Sequence, residues 1–142
     1  MSASQHIHGE CLCGGVKVEA KNVKPSIGAC HCAQCRQWTS SPMQTVDCDT
    51  DVSFSGEENI EKYNSSDWAE RGFCKRCGST LFYRLKQTGQ YFVAAGLFGD
   101  LPGFVFDHEV FIDEKPHFYS FANNRQQLTG EQVFAFFQNQ DN

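Results

Sequence analysis

Seven of the eight cysteines lie in three short clusters, which is the feature of this sequence best suited to chemistry. The clusters are Cys11-Leu12-Cys13, Cys30-His31-Cys32-Ala33-Gln34-Cys35 and Cys74-Lys75-Arg76-Cys77. Thiolates separated by one or two residues can reach a single ion without straining the backbone, and zinc accepts four of them tetrahedrally at Zn–S distances of about 2.3 Å. The spacing therefore predicts a metal protein, and the ligand count predicts two zinc ions.

The ligands divide unevenly between the two predicted metals. The outer clusters together supply four thiolates and close a tetrahedron; this four-cysteine site consists of Cys11, Cys13, Cys74 and Cys77. The middle cluster supplies only three; this three-cysteine site consists of Cys30, Cys32 and Cys35. A closed site supports the fold, whereas an open position accepts water or a substrate, as in catalytic zinc sites. We predict that the first site is structural and that the second carries the chemistry.

A disulfide framework is the main alternative, because eight is an even number of cysteines. Two observations argue against it. The segment Met1–His8 is polar and contains no hydrophobic signal, which predicts a cytoplasmic location where thiols stay reduced. Cysteines separated by one residue are also poor disulfide partners for each other. The clusters are therefore better interpreted as metal ligands.

Three thiolates would make a bound zinc ion electron-rich and hence a weak Lewis acid. Such an ion is poorly suited to generating hydroxide, but it suits a fourth sulfur ligand, because a coordinating thiol is deprotonated outright. Since the thiolate is the nucleophilic form, the three-cysteine site predicts a thiol substrate. The alternative is a second closed site, with Cys48, His31, His8 or a partner molecule as the fourth ligand.

Two side chains next to the three-cysteine site are further candidates. His31 lies between two ligands and could support them or shuttle a proton, although a locally hydrogen-bonded histidine is an equally good interpretation. Arg36 could pair with a carboxylate of the substrate, or it could offset the charge of the thiolates.

Composition indicates one ordinary domain, residues 1–142 with a core of about 5–138, since 142 residues suffice for a single core. The formal charge of −5 argues against a nucleic-acid partner, and thiolates bound to zinc would make it more negative. No apolar run approaches the roughly 20 residues of a membrane helix. The sequence does not define an oligomeric state.

Turn residues recur at short intervals, which predicts a mainly β domain of short antiparallel strands. Residues 16–20 alternate apolar and polar side chains; the other predicted strands are 26–30, 43–46, 52–55, 60–63, 80–84, 91–95 and 109–112. One helix is predicted at the C-terminal end. Thr129-Gly130-Glu131-Gln132 has the pattern of a capping box, and Val133, Phe134, Phe136 and Phe137 follow as an apolar stripe.

The three cysteine clusters, with Gly14, Arg36 and Arg71-Gly72-Phe73 around them, resemble the glutathione-dependent formaldehyde-activating enzymes, a family that includes centromere protein V. The resemblance covers residues 9–112. It implies a β-tent zinc fold, with structural zinc at Cys11, Cys13, Cys74 and Cys77 and catalytic zinc at Cys30, Cys32 and Cys35. It also implies that the protein joins formaldehyde and glutathione into S-(hydroxymethyl)glutathione, formally as a carbon–sulfur lyase.

Two function classes remain open at this point. The first is a zinc enzyme or thiol carrier that binds glutathione, or a similar thiol, and adds it to a small carbonyl. The second is a non-catalytic zinc module that binds a partner molecule. Within the first class, His31 is a candidate catalytic residue and Arg36 a candidate for binding glutathione.

Overall fold

The computed structural model describes residues 4–140, and most of the secondary structure in this range is β-strand. The strands are β1 (Gln5–Glu10), β2 (Lys17–Val23), β3 (Ser26–Cys30), β4 (Met43–Asp49), β5 (Val52–Ser55), β6 (Ile60–Asn64), β7 (Ala69–Cys74), β8 (Thr80–Leu85), β9 (Tyr91–Ala94), β10 (Val105–Val110) and β11 (Gln126–Leu128). The α-helices are α1 (Ala33–Thr39) and α2 (Gly130–Gln140). The predicted mainly β fold with a C-terminal helix is confirmed.

One unit of the chain comprises residues 4–26 and 45–105. It contains an antiparallel sheet in the order β1-β2-β5 and a run of antiparallel strands in the order β4-β9-β8-β7-β6. In β2, Val18 and Ala20 are buried, as the alternation of the sequence predicts. In β7, Gly72 leaves room for the buried ring of Phe82, because a Cβ there would lie 2.4 Å from it. This tight packing fixes β7 and β8, which flank the third cysteine cluster.

The other unit comprises residues 27–44 and 106–140. Its strands have the order β11-β10-β3, and β10 and β11 run parallel, with Glu109 opposite Gln127. The prediction of antiparallel strands is wrong for this pair. The chain returns from β10 to β11 through residues 111–125 rather than through a tight hairpin. A connection of this length lets the second strand enter in the same direction as the first.

Helix α1 is absent from the sequence prediction, and the structure gives a physical reason. The helix has seven residues and only Cys35 among them is buried, so no apolar periodicity marks it. Its N-terminal cap is Cys32, whose Sγ accepts a hydrogen bond from the backbone N–H of Cys35 at 3.3 Å. Serine, threonine, aspartate or asparagine usually occupies this position, so the start signal is missing from the sequence.

Helix α2 begins as predicted, with a reciprocal capping box. The backbone N–H of Gln132 donates to Thr129 Oγ1 at 3.2 Å, and the backbone N–H of Thr129 donates to Gln132 Oε1 at 2.8 Å.

All eight predicted strands overlap an observed one, whereas β1, β7 and β11 are not predicted. Strand β7 buries Arg71 and Gly72 side by side, so its sequence lacks apolar alternation. Among residues 4–140, no helix has the length and apolar character required to cross a membrane.

Candidate metal centres

The four-cysteine site is assembled from two turns of one unit. Cys11 and Cys13 follow β1, Cys74 ends β7, and Cys77 lies in the turn before β8. The four Sγ atoms all lie within 4.8 Å of one another. The Cys11–Cys13 and Cys13–Cys74 Sγ separations are 3.6 and 3.8 Å. Four sulfurs bound tetrahedrally at about 2.3 Å from zinc lie about 3.8 Å apart, so this donor set fits a zinc ion.

Backbone N–H groups point at the sulfurs of this site. The N–H of Gly15 donates to Cys13 Sγ at 3.3 Å, and the N–H of Val16 donates to Cys11 Sγ at 3.3 Å. Gly14 has a φ of 77°, a left-handed conformation that glycine adopts without strain and that turns the chain back towards the cysteines. Hydrogen bonds of this kind orient sulfur ligands and stabilise their thiolate form.

One thiol of the four-cysteine site ionises readily. The hydroxyl of Ser79 lies 3.2 Å from Cys77 Sγ, and the side chain and backbone of Ser79 together lower the pKa of Cys77 to about 5. These hydrogen bonds favour the thiolate form of Cys77. Ser79 also accepts a hydrogen bond from the backbone N–H of Leu12 at 3.1 Å, so one serine connects both turns of the site.

The three-cysteine site lies where β3 meets α1, in the other unit. Cys30 ends β3, Cys32 caps α1 and Cys35 is in the first turn of that helix; their Sγ atoms all lie within 4.8 Å of one another. Hydrogen bonds with Cys32 and Cys35, together with burial, raise the pKa of Cys30 well above its ordinary value. Three crowded thiols therefore retain a proton, and a divalent cation would allow all of them to ionise. The donor set fits a soft divalent metal such as zinc.

The three side chains of this chain that were considered as a fourth ligand are not gathered at the three-cysteine site. Cys48 is buried outside both clusters, and burial raises its pKa to about 12, as expected of an inert core thiol. His8 clusters instead with His6 and Glu19. His31 is adjacent in sequence, but both of its ring nitrogens have other partners. Among the described residues, the three cysteines have no fourth protein ligand gathered with them.

His31 is fully buried and bonded at both ring nitrogens. Nε2 lies 2.8 Å from Glu109 Oε1, and Nδ1 lies 2.7 Å from the hydroxyl of Tyr119. Because a carboxylate only accepts, Nε2 donates to Glu109, and Nδ1 shares the second hydrogen bond with the hydroxyl of Tyr119. Burial raises the pKa of Tyr119, so its hydroxyl keeps its proton at neutral pH. The residue between two candidate ligands is thus fixed from both sides.

Glu109 is itself buried and carries three hydrogen bonds. Besides His31, Arg125 Nη1 donates to Oε2 at 3.1 Å and Gln127 Nε2 donates to the same oxygen at 3.2 Å. Burial alone would raise the pKa of Glu109, but these three partners outweigh it and hold the pKa below the ordinary value. Glu109 is therefore a buried anion, and both of its carboxylate oxygens accept hydrogen bonds from neighbouring side chains.

Sequence reasoning does not single out Glu109, Tyr119 or Arg125. One signal was available for Glu109, which stands in a strand that has apolar pairs on both sides, Val105-Phe106 before it and Val110-Phe111 after it. An acid on the buried face of such a strand needs a partner. The identity of that partner, however, depends on a contact across 78 residues of chain.

Arg36 lies beside a cleft of about 570 Å³ in the same unit. Its Nε donates to the backbone oxygen of His31 at 2.9 Å, which holds the half-buried side chain in place. The cleft is lined by one face of α1 and by the segment after the 3-10 turn at 112–114, including Arg36, Gln37, Ser41, Phe118, Tyr119 and Phe121. A cation, several hydroxyl groups and aromatic rings thus face the same space, next to the helix that carries Cys35.

The fold and the two sulfur clusters define a small, mainly β protein with two thiol sites that could hold metal ions. Residues 6–114 match the family described as glutathione-dependent formaldehyde-activating enzyme. Because this match covers most of the sequence, the chain belongs to that family. The predicted family membership is confirmed.

Two further similarities support this assignment at different levels. The chain is 41% identical over 126 residues to an uncharacterized lyase of Schizosaccharomyces pombe. The aligned region covers 88% of this chain and 92% of that protein. The fold of the present chain is similar to that in the crystal structure of a Rhodobacter sphaeroides protein, with a TM-score of 0.55 and 21% sequence identity. This match covers 66% of the present chain and 89% of the Rhodobacter sphaeroides chain. The first similarity supports a lyase-type enzyme, and the second concerns the fold alone, where it agrees with the predicted β-tent class.

Proposed function

We propose that this protein binds glutathione, or a similar small thiol, at the three-cysteine site and adds it to formaldehyde or another small carbonyl. The observation that carries the proposal is the gathering of Cys30, Cys32 and Cys35, because Cys35 is on the same helix as Arg36, which lines a cleft. Family membership and the lyase relative support the reaction class. The four-cysteine site would hold a second, structural zinc ion.

Zinc held by Cys30, Cys32 and Cys35 would supply an open coordination position at which an incoming thiol loses its proton. The addition forms a carbon–sulfur bond, moves the carbonyl π electrons onto oxygen and returns one proton to that oxygen. The chain's own groups bind and orient the two reactants. Arg36 is suited to a carboxylate of glutathione, because a guanidinium binds carboxylates through two parallel hydrogen bonds.

Tyr119 is the polar group that we assign to the carbonyl oxygen. Tyr119 lines the cleft, and burial raises the pKa of its hydroxyl, so this hydroxyl is a proton donor that would turn from His31 Nδ1 towards an oxygen that gains negative charge. His31 then acts by orienting Tyr119 rather than by touching the substrate. Glu109 fixes the His31 ring from the opposite side.

Glutathione is expected to change the absorption spectrum of the cobalt-substituted protein, because a fourth sulfur would enter the three-cysteine site. Cys32→Ser is expected to abolish this response while the spectrum of the four-cysteine site persists. Cys48→Ala is the matched control, since it removes a thiol that lies outside both clusters, and it should respond like the wild type.

An unchanged spectrum, together with no thermal shift on adding glutathione, would remove the basis of the thiol-binding proposal. Formaldehyde turnover is then measured separately in the zinc protein. Glutathione binding without formaldehyde turnover would contradict the proposed enzymatic activity and would favour the interpretation as a thiol carrier.

Replacing Arg36 with methionine is expected to weaken glutathione binding by at least about 10-fold, because a charged hydrogen bond contributes roughly 1.5–3 kcal/mol. Cysteamine offers the same thiol without a carboxylate, so its affinity should change little. Binding of both thiols is measured by calorimetry in Arg36→Met and in the exposed control Lys86→Met. Equal losses for glutathione and cysteamine would show that Arg36 only supports the helix.

A further inference from the structure

We propose that His6, His8 and Glu19 form a third metal site, for a divalent cation such as Zn²⁺ or Ni²⁺, on the exposed face of the β1–β2 sheet. This site does not depend on the proposed function. It uses nitrogen and oxygen donors, in contrast to the sulfur donors of the two cysteine sites. Their ligand atoms all lie within 4.8 Å of one another.

The strand geometry places the three side chains together. His6 and His8 are two residues apart in β1, so they lie on the same face of the strand, and their ring centroids are 4.6 Å apart. Glu19 in β2 is directly opposite His8. The register shift between Gln5 and Ile7 places the extra residue in β2, because Gln5 pairs with Val23 and Ile7 pairs with Ala20, so β1 itself keeps its alternation at His6.

The separations suit ligands that share a cation better than direct hydrogen bonds. His6 Nε2 lies 3.5 Å from Glu19 Oε1, and His8 Nδ1 lies 3.6 Å from Glu19 Oε2. Hydrogen bonds to a carboxylate would be about 2.7–2.9 Å long. Two ligands bound tetrahedrally at about 2.0–2.1 Å from zinc lie roughly 3.4 Å apart, close to the observed values. The distance from each imidazole nitrogen to the nearer oxygen of Glu19 is therefore that expected of two ligands bound to the same cation.

Charge and exposure set the expected strength of the site. The side chains of His6, His8 and Glu19 are 49%, 66% and 38% exposed. A cation bound here would therefore replace water at accessible ligand atoms, and its remaining coordination positions would be open to solvent. Lys21 Nζ lies 3.8 Å from Glu19 Oε1 and competes for the carboxylate. Two imidazoles and one carboxylate are a donor set that zinc and the late divalent metals accept. The site is expected to bind more weakly and exchange faster than the cysteine sites.

The test is a calorimetric titration with Ni²⁺ of protein that has been loaded with two equivalents of zinc and freed of excess zinc, so that the two cysteine sites are filled and the weaker third site is available. We expect one additional equivalent of Ni²⁺ to bind the wild type. The double variant His6→Ala/His8→Ala should lose it, and Glu19→Gln should bind it at least about 10-fold more weakly. His117→Ala, which removes an exposed histidine elsewhere, should bind like the wild type. Thermal unfolding of the zinc-loaded variants should match the wild type, because the three side chains are exposed.

The proposal is overturned if the wild type binds no additional Ni²⁺ equivalent, or if the double variant retains it unchanged. The latter result would mean non-specific binding to surface histidines. Because glutathione binding is not measured here, the result is separate from that of the proposed function.

Discussion

Cys77→Ser is expected to yield protein that is insoluble or unfolds readily at room temperature, and that binds one zinc ion fewer per chain. Metal at a structural site of this kind contributes an apparent ~10–16 kcal/mol to folding. A whole domain is stable by only about 5–15 kcal/mol, so losing the site removes most or all of that margin. Zinc content is measured by elemental analysis and stability by thermal unfolding, with and without a chelator.

Cys48→Ala is the matched control for Cys77→Ser, because both remove one thiol from the same unit. Cys48 is a buried core thiol outside both clusters, so its loss should leave the zinc content unchanged. A Cys77→Ser protein with normal thermal stability and reduced zinc content would contradict a structural role for the four-cysteine site.

Glu109→Gln is expected to lower the free energy of unfolding by about 3–5 kcal/mol at neutral pH, the usual cost of breaking a buried ion pair from one side. Glutamine keeps the shape of the side chain but removes the charge opposite Arg125, whose side chain is 7% exposed. Arg125 would then be a buried cation without its counter-ion. Urea unfolding measures the change, and Glu61→Gln, at an exposed strand position, is the control.

The pH dependence gives Glu109→Gln a second readout. The folded-state pKa of Glu109 lies below the ordinary value of 4.5, so its charge stabilises the fold above that pH. This contribution is lost as the pH falls through the folded-state pKa. The stability difference between wild type and variant should therefore be full at pH 7 and shrink below about pH 4.5. A difference that is constant with pH would contradict a role for the charge.

Local sequence patterns account for the elements that were predicted correctly. The capping box at Thr129–Gln132 acts within one helical turn, and the strands at Ser26–Cys30 and Val52–Ser55 have the predicted bounds. The spacing of cysteines within each cluster likewise limits how far apart their sulfurs can lie. Helix α1 was not predictable on the same basis, because a thiol in place of the usual capping residue begins it.

The sequence alone determined the three cysteine clusters and the mainly β fold, because each depends on spacing within a few residues. That Cys13 meets Cys74 across 61 residues of chain was decided by the tertiary structure. Only the tertiary structure decided what surrounds the clusters. His31 meets Glu109 and Tyr119 across 78 and 88 residues of chain, and Glu19 meets His8 through the register of β1 and β2. Contacts between distant residues depend on strand pairing and on the buried charges that must be neutralised. No local pattern encodes such a pairing, and the fold as a whole therefore selects it.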